Sequence, residues 1–191
     1  FIDIFFEKNV KPLESLPILD SDQVFYVDTQ NEPTTSYVDD LKNRLMGIKK
    51  SLPHTIIGIG GGGALDVAKA ISNLLTNSGN AEDYQGWDLV KFPGIYKIGI
   101  PTISGTGAEA TRTCVMINPA TGLKLGMNSD YTIFDQLILD PELLSTVPLD
   151  QYFYTGMDTF IHCVESLSGN YRNAIGVAFS NQAIRLCREF F

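Results

Sequence analysis

The chain has 191 residues, of which 44% are hydrophobic and 19% are charged, enough to bury a sizeable core as one large domain or as parts of two. Its net charge of −8 and its scattered basic residues exclude a nucleic-acid partner, which would need a basic face. The apolar runs are too short to span a membrane, no signal-peptide pattern is present and the three cysteines are widely spaced, so we expect a cytoplasmic protein with reduced thiols.

Strand and helix patterns alternate from the first residue to about Pro148. Segment 1–6 is typical of the inside of a strand, and Thr34 or Thr35 can cap the first helix. Alternation of this kind predicts an α/β fold with a parallel sheet and with ligand sites at the carboxyl ends of its strands. The predicted strands are 1–6, 24–28, 55–60, 97–100, 112–117 and 136–139, and the predicted helices are 34–52 and 64–75.

After Pro148 the pattern becomes helical. Segments 150–168 and 171–191 predict two helices joined at Gly169-Asn170. We therefore expect an α/β domain at 1–148 and the start of an all-helical domain at 149–191. The chain opens in a strand pattern without an initiator Met and stops in a helical pattern without a cap, so we expect it to be truncated at both ends.

Four consecutive glycines, 60–63, join the buried strand 55–60 to a helix. Glycines let the backbone turn sharply against a ligand, and the positive end of the helix dipole favours a diphosphate there. The spacing of Gly58, Gly60 and Gly63 also matches the dinucleotide fingerprint. The acids about 20 residues later, Glu82 and Asp83, however, lie in a polar loop and not at the end of a strand, where the ribose-binding acid of that fingerprint belongs. We expect a phosphate-binding turn without the usual Rossmann arrangement; the alternative is a tight strand–helix junction with no ligand.

A second loop, 101–109, directly follows the predicted strand 97–100. It is rich in threonine, serine and glycine, whose hydroxyls and free backbone can bond phosphate and ribose oxygens. Because both loops follow strands of a parallel sheet, we expect them at the same edge. By itself the segment would be an ordinary polar loop; beside the glycine turn it favours a ligand site.

Asp158 and His162 are four residues apart in a predicted helix, so their side chains share one face. A carboxylate and an imidazole at this spacing can share a divalent metal, or can simply bond to each other along the helix. Glu165 continues the same face. The other histidine, His54, is expected in a surface loop.

Taken together, these segments resemble the iron-containing, or group III, alcohol dehydrogenase family. That family is similar to this chain in four ordered motifs, here at 60–69, 101–109, 140–143 and 155–165. The resemblance implies a dehydroquinate synthase-like fold, with an α/β dinucleotide-binding domain followed by a helical domain and with the metal and substrate in the cleft between them. It also implies a homodimer and a small-molecule alcohol or sugar-acid substrate, without nucleic-acid or membrane partners.

The resemblance implies roles for individual residues in binding a nicotinamide cofactor, NAD rather than NADP. Asp3, at the end of the first strand, matches the acid that selects NAD. Lys124 matches a lysine that holds the nicotinamide-side ribose. Gly63 and Ala108 stand where the family has serines, so cofactor affinity is expected to be altered but not lost. The remaining implied contacts are Gly60, Gly61 and Gly62 with the pyrophosphate, Asp66 near the cofactor, and Thr102 and Thr106 with the nucleotide.

The same resemblance implies that Asp158 and His162 are two ligands of a divalent metal, Fe(II) in preference to Zn(II). The family's other two ligands are histidines further downstream, which this sequence does not contain. The metal would act as a Lewis acid on the substrate hydroxyl during hydride transfer to NAD. Beyond these two residues the sequence offers no convincing catalytic side chain, and as a fragment it is expected to be inactive.

Four shorter segments, 83–88, 112–115, 128–131 and 161–167, are similar to the branch that oxidises C8 of 3-deoxy-D-manno-octulosonate. That branch serves lipopolysaccharide synthesis, where a pyridoxal-phosphate aminotransferase uses the aldehyde. The alternatives are another group III alcohol or lactaldehyde-type dehydrogenase, a sugar-phosphate cyclase of the dehydroquinate synthase type, and a non-catalytic nucleotide-binding fragment. Basic residues for a substrate phosphate would favour the cyclase, whereas the Asp158–His162 pair and the residues 155–157 before it favour the dehydrogenase. Two downstream histidines would favour an enzyme over a non-catalytic fragment.

Overall fold

The described residues form two β-sheets and a set of α-helices. The computed structural model describes residues 1–10, 14, 16–48, 51–170 and 172–190. The strands in these residues are β1 (Ile2–Asp3), β2 (Tyr26–Val27), β3 (Thr55–Gly60), β4 (Gly86–Trp87), β5 (Tyr96–Pro101), β6 (Thr113–Ile117), β7 (Lys124–Asn128) and β8 (Gln136–Leu137). The α-helices are α1 (Ile4–Val10), α2 (Thr35–Ile48), α3 (Gly62–Leu74), α4 (Leu149–Ser168) and α5 (Ala174–Phe190).

The larger sheet is parallel and has the strand order β2-β1-β3-β5-β8. β3 and β5 pair along their whole lengths, with Thr55 opposite Tyr96 and Gly60 opposite Pro101. Parallel strands end at the same edge, so the segments that follow β1, β3 and β5 lie side by side. This confirms the predicted α/β fold and brings the two glycine-containing loops together.

The predicted strand 112–117 does not join this parallel sheet. It forms β6, which pairs antiparallel with β7, and β7 pairs in turn with β4 in a second sheet. The sequence pattern does not predict β7, because a lysine, a glycine and an asparagine in five residues give it low strand propensity. Its pairing with β6, with Cys114 opposite Met127, comes from tertiary contact.

The prediction of a strand over 1–6 is wrong beyond Asp3. The strand ends there because the Asp3 carboxylate caps a helix: Oδ1 accepts hydrogen bonds from the backbone N–H groups of Phe5 at 2.8 Å and Phe6 at 3.3 Å. Of the apolar side chains that suggest a strand, those from Ile4 onward lie on α1, where Phe6 is buried.

The predicted helix 34–52 is shorter than expected. Thr34 caps it as predicted, since its Oγ1 accepts a hydrogen bond from the Tyr37 N–H at 3.1 Å. The helix, α2, ends at Ile48; Lys49 and Lys50 lie outside the described residues, and Ser51 and Leu52 are not helical. Among its apolar residues, Val38 and Leu41 are buried whereas Ile48 is exposed.

Helix α3 occupies the centre of the core. It packs against β3, β5, β6 and α2. Val67, Ala68, Ala70 and Ile71 are completely buried, and so is the charged Lys69. Burial on all faces holds α3 in place, and with it the glycine turn from which it starts.

The last part of the chain is helical as predicted, with α4 packed against α5 and the hydroxyls of Ser166 and Ser180 at 3.0 Å. The second helix is expected from Tyr171 to Phe191, but α5 begins at Ala174. Tyr171 and Phe191 lie outside the described residues. The three cysteines are free, and Cys114 and Cys163 are buried. No helix in the described ranges is long and apolar enough to cross a membrane.

Candidate functional site

A cleft of about 1250 Å³ opens at the carboxyl ends of the parallel strands. Nine of the ten residues predicted to bind cofactor or metal line it, and the tenth, Gly60, precedes the lining residue Gly61. The structure therefore brings together residues that are up to 159 positions apart along the chain. The nine are Asp3, Gly61, Gly62, Asp66, Thr102, Thr106, Lys124, Asp158 and His162.

The glycine turn presents backbone N–H groups rather than side chains to this cleft. Gly61 caps α3 without a side-chain hydrogen bond, so the first N–H groups of the helix have no partner from the helix itself. Gly60 has φ +147°, and a Cβ there would come within 2.7 Å of the Asp3 Cβ. A β-carbon on Gly63, where the family has serine, would meet only ordinary contacts, so the turn has room for that residue.

The second loop packs directly against this turn. The Thr102 N–H donates a hydrogen bond to the Gly60 carbonyl at 3.0 Å. A Cβ on Gly61 would come within 2.6 Å of Ile103, and one on Gly62 within 3.1 Å of Thr106. The two loops are thus in direct contact at one edge of the sheet, as expected for segments that follow neighbouring parallel strands.

Lys69 holds the end of the second loop and the residues that lead from it into β6, a role that the sequence pattern does not predict. Its buried ammonium donates hydrogen bonds to the carbonyl oxygens of Thr111 and Thr113, each at 2.9 Å, and to that of Ala108. Burial lowers the pKa of Lys69, and the nearby Asp66 carboxylate opposes that effect. The sequence feature that could have indicated this role is a lysine in a mostly apolar helix segment, three residues after an aspartate.

Asp66 faces the cleft with one carboxylate oxygen bonded and one not. Oδ2 accepts a hydrogen bond from the Val115 N–H at 2.9 Å, whereas Oδ1 is buried without a hydrogen-bond partner. Burial raises the pKa of Asp66 to about 6, against the opposing charge of Lys69. A buried, unsatisfied carboxylate oxygen at a cleft is suited to a polar ligand group.

Lys124 lies on β7, and its Nζ is 2.8 Å from Glu32 Oε1 in a half-exposed ion pair. Both residues line the cleft. Glu32 lies in the loop after β2, at the same sheet edge as Asp3, and the sequence analysis does not single it out. No local pattern marks Glu32 as a site residue, because its partner Lys124 is 92 residues away along the chain.

Asp158 and His162 share one face of α4, as their spacing predicts, and both line the cleft. Asp158 Oδ2 and His162 Nδ1 are 3.6 Å apart, too long for a hydrogen bond, and the side chains are 43% and 57% exposed. Both are thus able to turn toward a shared cation. Across the described residues, no group of three or more histidine, cysteine, aspartate or glutamate side chains could hold a metal.

A hydrogen bond joins helix α4 to the second loop. The Thr159 hydroxyl, next to Asp158 in sequence, donates a hydrogen bond to the Gly105 carbonyl at 3.0 Å. The contact joins the loop predicted to bind nucleotide to the helix predicted to bind metal.

The other candidate residues named from the sequence lie outside the cleft lining. Glu165 is exposed and outside the cleft lining, and His54 is in an exposed bend before β3, as predicted. Glu82 and Asp83 lie in a 3-10 turn, Ala81–Tyr84, and not at a strand end. That placement confirms that the conventional fingerprint acid is not in this pair.

Known proteins are similar to this chain in sequence and in fold. Residues 11–141 match the model of the family described as iron-containing alcohol dehydrogenase. The chain is 38% identical over 177 residues to a sulfoacetaldehyde reductase of Bilophila wadsworthia (strain 3_1_6), covering 92% of this chain and 45% of that protein.

Two solved structures are similar in fold. The alcohol dehydrogenase from Oenococcus oeni superposes with a TM-score of 0.84 and 30% identity, over 98% of this chain and 50% of that one. The sulfoacetaldehyde reductase from Bifidobacterium kashiwanohense in complex with NAD+ superposes with a TM-score of 0.82 and 25% identity, over 97% of this chain and 49% of that one. The chain thus spans about half the length of these relatives.

Proposed function

The chain belongs to the iron-containing alcohol dehydrogenase family, and on that premise we propose that it supplies the NAD site and part of the metal site of an enzyme that transfers hydride between a primary alcohol and NAD. The observation that carries this proposal is the cleft in which the glycine turn, Asp66 and Lys124 face the Asp158–His162 pair. We assign 1–148 to an α/β domain and 149–191 to the beginning of a helical domain.

The turn and its neighbours suit a dinucleotide. The unpartnered N–H groups at the start of α3 would donate to the pyrophosphate, with Gly60, Gly61 and Gly62 allowing its close approach. The buried Asp66 Oδ1, which lacks a donor, would accept a hydrogen bond from the cofactor. Thr102 and Thr106 would contact the nucleotide from the second loop. The NAD+ complex of a similar reductase supports this assignment.

Two side chains would bind the two riboses of the cofactor. The Asp3 carboxylate would accept a hydrogen bond from a hydroxyl of the adenosine ribose and so favour NAD over NADP. Lys124 would donate to the nicotinamide-side ribose, and Glu32 would keep its ammonium over the cleft.

Asp158 and His162 would hold a divalent metal, together with two ligands from outside these 191 residues. A carboxylate oxygen and an imidazole nitrogen suit both Fe(II) and Zn(II), and the family description favours iron. When bound, the metal supplies Lewis acidity that lowers the pKa of the alcohol, and NAD accepts the hydride. The Thr159–Gly105 contact would keep the metal-binding face of α4 at a set distance from the cofactor loop.

We propose an anionic primary alcohol, or the corresponding aldehyde, as the substrate. The resemblance of four segments to the 3-deoxy-D-manno-octulosonate branch supports a sugar acid, whose C8 aldehyde an aminotransferase would then aminate. The 38% identity to a sulfoacetaldehyde reductase supports a sulfonate. Homodimer formation and a cytoplasmic location belong to the same proposal.

The test uses the complete native polypeptide that carries this sequence. Metal is removed, Fe(II) or Zn(II) is restored, and NADH formation is followed with 3-deoxy-D-manno-octulosonate, isethionate and 1-propanol. Asp158→Asn should lose at least about 100-fold in kcat, as expected for the loss of a metal ligand. The matched variant Asp150→Asn, on the exposed first turn of α4, should behave as wild type.

Metal-independent turnover, or full activity in Asp158→Asn, would contradict the proposed metal role. Tight NAD binding without turnover of any alcohol would leave a nucleotide-binding protein instead of an enzyme. A preference for 1-propanol over both anions would reject the proposed substrate class but not the reaction.

A further inference from the structure

The two carboxylate oxygens of Asp3 have different partners. Oδ1 accepts the N–H groups of Phe5 and Phe6 and is committed to capping α1. Oδ2 accepts a hydrogen bond from the Thr29 hydroxyl at 2.7 Å. Three donors therefore fix the plane and the direction of this carboxylate.

Thr29 reaches Asp3 because of the strand order. β1 and β2 are parallel neighbours with Asp3 opposite Val27, so a residue just beyond β2 comes alongside the end of β1. Thr29 lines the cleft together with Asp3 and the glycine turn. Its methyl group would lie 3.6 Å from a Cβ on Gly63, so it sits between Asp3 and the start of α3.

We propose that Thr29 is a specificity-determining positioning residue, which orients Oδ2 of Asp3 toward the adenosine ribose and so sets the preference for NAD over NADP. The inference rests on the proposed function, in which Asp3 contacts that ribose. Nothing in the sequence resemblance or in the comparisons assigns a role to Thr29.

The chemistry follows from the lone pairs of the carboxylate. Oδ2 has two, of which Thr29 occupies one, and the other remains for a ribose 2′-hydroxyl, which can donate. A 2′-phosphate cannot donate in the same way and carries like charge, so a carboxylate that cannot swing aside rejects it. Without the Thr29 hydroxyl, Oδ2 loses the hydrogen bond that sets its direction.

A purely structural role predicts a different result. Thr29 begins the loop that leads to α2, where Asp28 accepts a hydrogen bond from the Gln30 N–H at 3.0 Å. If Thr29 only stabilised this loop, its loss would lower kcat/KM for NAD and NADP equally. The ratio of the two values separates a positioning role from a structural one.

The experiment measures kcat/KM with NAD and with NADP in the complete native polypeptide. Thr29→Val removes the hydroxyl at nearly constant volume and should lower the NAD-to-NADP ratio about five- to tenfold. Thr29→Ser keeps the hydroxyl and should restore the wild-type ratio. Asp3→Asn, which can still cap α1, should lower the ratio further. In the double variant, Thr29→Val should add nothing to Asp3→Asn, because it acts through that carboxylate.

Dissociation constants for NADH and NADPH, measured by fluorescence, give the same ratio if a variant has little turnover. An unchanged ratio in Thr29→Val beside a lowered one in Asp3→Asn overturns the role of Thr29 and leaves the proposed function intact. An unchanged ratio in Asp3→Asn overturns this inference together with the assignment of Asp3, while hydride transfer itself remains testable by the metal experiment.

Discussion

Lys69 and Asp66 lie three residues apart on α3, but Lys69 is buried whereas Asp66 is half-buried, and their hydrogen bonding differs. The Lys69 ammonium has carbonyl partners on three residues, so its charge is compensated where it lies. The Asp66 carboxylate keeps one buried oxygen without a partner. The first arrangement is typical of a structural ion, and the second of a group retained for a ligand.

We expect Lys69→Met to lower the free energy of unfolding by about 3 kcal/mol, because it leaves buried carbonyl groups without their donor. Urea denaturation of the complete polypeptide measures the loss. Lys91→Met, on an exposed lysine, is the control and should change the same quantity by less than about 0.5 kcal/mol. Equal stability of the two variants would show that the buried ammonium is not needed to hold the second loop.

Asp66 should make stability depend on pH. Its pKa rises from 3.8 to about 6 on folding because of burial, so the native state holds this proton more tightly than the unfolded state. The associated stability is fully present below pH 3.8 and is lost as the pH rises through 6, a cost of about 3 kcal/mol at pH 8.

Asp66→Asn keeps an acceptor for the Val115 N–H and removes this titration. Relative to wild type, the variant should therefore gain stability between pH 4 and pH 8, while its affinity for NAD falls. Urea denaturation across that range checks the first effect, and fluorescence titration with NADH the second. Asp40→Asn, on the exposed side of α2, is the control. A constant difference between Asp66→Asn and wild type across the range would contradict the raised pKa.

At the scale of elements, the contact between the second loop and α4 depends on a glycine. Gly105 has φ +151°, and a Cβ there would lie 2.5 Å from the Thr155 carbonyl oxygen. Gly107, in the same loop, also has a positive φ, of +67°, but a Cβ there would meet nothing within 4 Å. The two glycines therefore separate the effect of backbone conformation from the effect of contact with α4.

We expect Gly107→Ala to cost about 1 kcal/mol of stability, as a left-handed residue that gains a side chain does. Gly105→Ala should cost about 2 kcal/mol more and should also lower kcat, because the loop must move away from Thr155 and Asp158 would shift relative to the cofactor. Thermal unfolding and steady-state kinetics measure both effects. Similar kcat values in the two variants would show that the loop–helix contact does not position the metal face.

At the scale of the whole molecule, cofactor and metal residues come from different parts of the chain. The predicted NAD contacts lie between Asp3 and Lys124, whereas the metal pair lies on α4. The chain spans about half the length of its relatives, and the proposed metal site takes Asp158 and His162 from it. Binding of NAD and binding of metal should therefore be largely independent.

Removal of the metal by a chelator should abolish turnover in the complete polypeptide but change the dissociation constant of NADH by less than about threefold, since no predicted NAD contact is a metal ligand. Restoration of Fe(II) or Zn(II) should recover activity. Loss of NADH binding on metal removal would show that the metal holds the cofactor site together. Calorimetric titration of the apo and restored forms makes the comparison.

Local patterns were sufficient for much of this protein. The glycine turn before α3, the Thr34 cap and the Asp158–His162 spacing are properties of residues within a few positions of one another, so hydrogen-bonding geometry and helical periodicity predict them directly. The strand–helix alternation likewise predicts the parallel sheet, because strands separated by helices cross over to the same direction.

Only the tertiary structure decided which distant groups meet. The partnership of Lys124 with Glu32 spans 92 residues and that of Thr29 with Asp3 spans 26, and no periodicity encodes either. The pairing of β7 with β6 depends in the same way on a neighbouring strand. The cap that ends the first strand at Asp3 is local, and the apolar pattern of the segment hides it. Sequence patterns report local propensity and burial, whereas these contacts arise from the order of strands and the packing of α3, which only the folded chain establishes.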